Sequence, residues 1–81
     1  MPRYYFDLVD GDTRAVDEEG LELKDLRAVQ AEAAKSLADM AREALDSTTT
    51  MASHYMAIEV RADTGPVMQV KFTFEVEKVM H

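Results

Sequence analysis

Tyr4, Phe6 and Leu8 alternate with Arg3, Tyr5 and Asp7 at the start of the chain, the period of two that a strand with one buried face produces. Asp10-Gly11-Asp12 follows, and glycine accepts the positive φ that a tight hairpin turn demands. Thr13 to Val16 therefore reads as a short return strand. Asp17-Glu18-Glu19-Gly20 ends it, and Leu21-Glu22-Leu23 reads as an extended link whose two leucines can point into a core.

The period then changes. From Leu26 the apolar positions are Val29, Ala33, Leu37, Met40, Ala44 and Leu45, spaced by threes and fours as one stripe of an amphipathic helix requires. Asp25 is suited to the N-cap, where its carboxylate accepts from free N–H groups of the first turn. The helix is expected over roughly Asp25 to Asp46, with seven alanines between Ala28 and Ala44 that favour helix and allow close approach to a sheet. Ser47-Thr48-Thr49-Thr50 breaks the pattern, so a loop is expected from about Ser47 to Ser53.

Alternation returns with Met56, Ile58 and Val60, turns at Asp63-Thr64-Gly65-Pro66, and resumes through Met68, Val70, Phe72, Phe74 and Val76. The fold class is thus α+β, in the order β-β-α-β-β, with one long helix on one face of an antiparallel sheet of about four strands. Residues 1–81 read as a single domain, because a chain this short lacks the apolar surface for two cores.

Composition narrows the function classes. No cysteine is present, which removes disulfides, thiolate nucleophiles and cysteine-based zinc sites and points to a reducing cytoplasm. No apolar run approaches a membrane span and no signal-peptide pattern stands at the start. The net charge is −7, and residues 1–25 hold −5 of it; that balance argues against nucleic acid, whose binding depends on Lys and Arg displacing counterions. A basic protein partner suits such a surface better.

No residue set reads as catalytic, cofactor-binding or metal-binding, and none of these roles is assigned. Asp10, Asp12, Asp17, Glu18 and Glu19 are carboxylates a cation would accept, but their spacing is not that of an EF-hand loop, and solvated turn residues is the better reading. Ser53 and His54 are adjacent, so on a strand they point to opposite sides and cannot form a dyad. Met40, Met56 and Met68 fall on core faces. One helix covers one face, leaving the other with Tyr5, Asp7, Glu59, Arg61, Gln69, Lys71, Thr73 and Glu75 toward water or a partner, and leaving edge strands unpaired. The expected interaction surface is Tyr5, Asp7, Asp10, Asp12, Glu59, Arg61, Lys71 and Thr73, used for self-association as a homodimer or for a protein partner.

Arg3-Tyr4-Tyr5-Phe6, then Asp10-Gly11, then Asp17-Glu18-Glu19-Gly20 with Leu23, Asp25 and an Ala-rich helix resembles a domain-of-unknown-function family of small bacterial proteins, over most of residues 2–45. That resemblance implies a fold and transfers no catalytic residue. The aromatic strand, acidic Gly turn and helix that starts at a Leu-Asp pair are also similar to HicB-type antitoxin domains, which implies an alternative: an inhibitor of a small basic protein, here without an appended DNA-binding segment. The leading expectation is a non-enzymatic interaction or homo-oligomeric module.

Overall fold

The computed structural model describes residues 1–47, 53–77 and 79. The loop expected from about Ser47 to Ser53 lies largely on residues 48–52, outside the described residues.

Strand β1 (Arg3–Asp10) turns through Gly11 and Asp12 into β2 (Thr13–Ala15). Gly11 has φ 60° while Asp12 keeps a negative φ, the pattern of a two-residue hairpin loop with glycine first, whose twist matches the flanking strands. Leu21–Glu22 forms a short strand, β3, which pairs with β1 at Arg3 and Tyr4. Helix α1 (Leu26–Ser47) follows, then β4 (Ser53–Ala62) and β5 (Gly65–Glu75). The order is β-β-β-α-β-β, one strand more than the alternation revealed. The sheet runs β2-β1-β4-β5, antiparallel throughout, with β3 beside the first half of β1.

Helix α1 begins where expected, because the Asp25 carboxylate accepts from the Ala28 N–H at 2.8 Å and satisfies a donor that no turn of helix can reach. Val29, Ala33, Leu37 and Ala41 form its buried line. They meet Tyr4, Phe6, Met56, Ile58 and Val60 in the core, with the helix lying over β4 and β5 and the most deeply buried strand residues on the central pair β1 and β4. Met56 is fully buried, whereas Met40 and Met68 pack only partly against this core.

Three expected core positions lie elsewhere. Leu21 is 44% exposed, Leu26 54% and Leu45 39%. Leu21 sits in a strand of two residues at the rim, Leu26 opens the helix, and Leu45 lies on the flank that faces β5. The longest strand, β5, is an edge with Val70 and Phe72 half-buried, and Val76, expected to continue its alternation, lies past its end and is 50% exposed. The domain measures 56 by 22 by 20 Å, so much of its apolar surface lies on flanks rather than in a central core.

Candidate functional site

The helix-free face of β1 and β4 carries alternating charges. Asp7 stands directly opposite Glu59 in the register, a like-charge pair that destabilises a sheet unless cations flank it. They do. Arg61 donates from Nε to Asp7 Oδ2 at 3.0 Å, and Arg14 donates to Glu59 Oε1 at 2.5 Å, with Gln69 reaching Glu59 Oε2 at 3.3 Å. Hydrogen bonding to Glu59 raises the Arg14 pKa above its ordinary value, and hydrogen bonding to Asp7 does the same for Arg61. The Arg61 guanidinium also lies 4.6 Å from the centre of the half-buried Tyr5 ring, a cation–π geometry.

Asp7 corrects the expectation for this face. It was expected to meet water or a partner, yet it is 6% exposed. The cause is the acidic segment after β2, which folds across β1. The Asp17 N–H donates to Asp7 Oδ1 at 2.9 Å, and Arg61 donates to the Asp17 carbonyl at 2.8 Å. Asp17 Oδ2 in turn accepts the Phe6 N–H at 3.0 Å, while its Oδ1 accepts from Glu19 and Gly20, both at 3.1 Å. Between β2 and β3, β1 has no strand partner on that side, so the Asp17 carboxylate supplies the acceptor a strand would have supplied. Burial pushes the Asp17 carboxyl up, but the N–H groups of Phe6, Gly20 and Glu19 and the charge of Arg61 together hold it below its ordinary 3.8.

The remaining expected residues separate. Asp10 lies at the end of β1, where its carboxylate hydrogen-bonds His54 Nε2; Asp12 is exposed in the turn. Lys71 and Thr73 lie farther along the open face on β5, both exposed, opposite Ala57 and Tyr55. The structure thus brings Tyr5, Asp7 and Arg61 into one bonded set and sets Glu59, bonded to Arg14 and Gln69, beside it, and it leaves Lys71 and Thr73 apart from both. Among the described residues no group of three or more His, Asp or Glu is placed to hold a metal ion, and no helix is long and apolar enough to cross a membrane.

Sequence reasoning missed an apolar groove of about 600 Å³ between the outer flank of α1 and β5, lined by Ala34, Leu37, Ala38, Leu45, Val70 and Phe72 among others. Ala34, Ala38 and Leu45 fall beside the buried helical line rather than on it. A signal existed: the apolar arc of α1 is wider than a single stripe needs.

One helix against one face of an antiparallel sheet, with an internally bonded polar cluster on the other, defines a small α+β domain. The chain belongs to the family described as Domain of unknown function (DUF6894), whose model matches residues 3–73. No curated protein and no solved structure matches it. The likeness to HicB-type antitoxins is not shown by any of these comparisons.

Proposed function

We propose that this domain is a non-enzymatic interaction module that works by self-association, a homodimer joined along the edge of β5 that no strand among the described residues pairs with. The observation that carries this reading is the character of that edge. Protected edges are short, bulged, proline-bearing or marked by a charge pointing inward. β5 has Pro66 and a register irregularity only at its start; its charges, Lys71 and Glu75, stand on the helix-free face, and from Met68 to Glu75 its helix-side residues are Met68, Val70, Phe72 and Phe74 without an inward charge. An edge of that length offers a row of unpaired backbone N–H and C=O groups as a template for a second strand.

The open-face cluster is a weaker choice for the contact, because its charges already bond one another. Lys71 and Thr73, both exposed, are the expected surface residues that lie on this strand. Light scattering at micromolar concentration tests the reading: the expected mass is twice the 9.1 kDa of the chain. Phe74→Lys places a charge on the helix side of the edge and should return the mass to that of one chain with unchanged far-ultraviolet circular dichroism. A wild-type monomer across that concentration range would overturn the proposal.

A further inference from the structure

Resting on that reading, we infer that the partner is a second copy of the chain whose β5 pairs antiparallel with the first about a two-fold axis at Thr73. In a two-fold antiparallel pair, residue positions facing each other add to a constant, so one central residue fixes every pair. Centring on Thr73 sets Lys71 opposite the second copy's Glu75, twice per dimer. These are the two charged residues of β5, both exposed and both on the helix-free face, and opposite charges directly across strands stabilise a pair where like charges oppose it. Centring on Lys71 would set two lysines face to face. A shift of one residue sets Lys71 opposite Thr73, or opposite Glu77, which lies beyond β5.

The helix side supports the same register. Phe72 falls opposite Phe74, twice per dimer. Aromatic pairs across strands are among the more stabilising ones. The two-fold axis stands perpendicular to the joined sheet, so both helices lie on one side of it. The groove between α1 and β5 in each copy then faces its counterpart, and the exposed flank at Ala38 and Leu45 is turned toward the second helix.

The chain has no cysteine, so single cysteines report the register directly. Facing residues in an antiparallel pair have Cα atoms roughly 4.5–5.5 Å apart, within disulfide reach. Under mild oxidation, Thr73→Cys should give a cross-linked dimer. Lys71→Cys and Glu75→Cys should each stay uncross-linked alone and cross-link when mixed. Charge reversal gives a second reading: Lys71→Glu and Glu75→Lys should each weaken dimerisation about tenfold, and an equimolar mixture of the two should restore it as a heterodimer. A dimeric mass without the Thr73→Cys cross-link, or with self-cross-linking of Lys71→Cys, overturns this register while leaving self-association standing. A monomeric mass overturns both.

Discussion

The two edges of the sheet are built on opposite plans. At one, β2 and β3 have three and two residues, and the chain between them closes over β1 with the Asp17 carboxylate in place of a strand. Arg3 reinforces that closure by donating to the Glu19 carbonyl at 2.7 Å and to Glu22 at 3.3 Å. At the other edge, β5 runs for 11 residues with apolar side chains half-covered on the helix side. Charged groups and short strands gather where the sheet ends within the chain, and long alternation with little charge lies where it is open. The difference teaches that edge protection in this domain is local and one-sided.

The largest break in that contrast comes from Gly20. Its φ is 71°, and a Cβ there would lie 2.8 Å from the Tyr4 carbonyl oxygen, a backbone atom that cannot move aside without disturbing the pairing of β1 and β3. Gly20→Val should therefore cost about 3 kcal/mol, adding a clash to the penalty of a left-handed backbone. Thr73→Val on the opposite edge, exposed and with ordinary strand backbone, should stay within about 0.5 kcal/mol. Urea midpoints of the two variants at one low concentration compare the edges; similar losses would mean that the closed edge is not the more constrained one.

Acid titration gives a smaller effect at the same place. The Asp17 carboxyl titrates below its ordinary value in the fold, so its ionised form stabilises the folded state above the unfolded-chain value near 3.8. That contribution is lost as pH falls below it and through the folded value. Asp17→Asn should lower stability at pH 7 by about 1–2 kcal/mol, since hydrogen bonds to a charged acceptor are replaced by weaker ones. It should also flatten the dependence of stability on pH below about 4. An unchanged acid slope would show that another carboxylate governs acid unfolding.

How much of this was visible in the residues follows from which forces act locally. The helix with its Asp25 cap, both hairpin turns and the alternation of β5 depend on neighbours in sequence, and each was legible there. Strand order was not, because the alternation of β1 and β4 says that one face of each is buried without saying that the two lie side by side. Asp7 shows the same limit more sharply. Its position in the alternation correctly placed it away from the helix, but its burial comes from Asp17, ten residues on, folding over it, and from Arg61 on a strand far along the chain. β3 was hidden because Leu21-Glu22 pairs only where Arg3 and Tyr4 offer an edge.

The smallest expected effect distinguishes the edges by how they respond to concentration and salt. Lys71 is exposed, so Lys71→Gln should change the stability of the isolated chain by less than about 0.5 kcal/mol. In a dimer centred on Thr73 it removes an ion pair to Glu75 twice, which should weaken association by a few-fold. Partner binding raises apparent stability by mass action, so the wild-type melting temperature should climb with protein concentration and the variant's should climb later. Ion pairs formed across such a dimer edge would be solvent-exposed and screened by salt, so wild-type association should fall as salt rises, and that of Lys71→Gln should respond less. Arg3 is the matching case on the closed edge, where its partners Glu19 and Glu22 belong to the same chain. Arg3→Gln should lower stability by the same amount at every concentration, so a concentration-dependent loss there, or none for Lys71→Gln, would erase the distinction between an edge closed from within and one closed by a second copy.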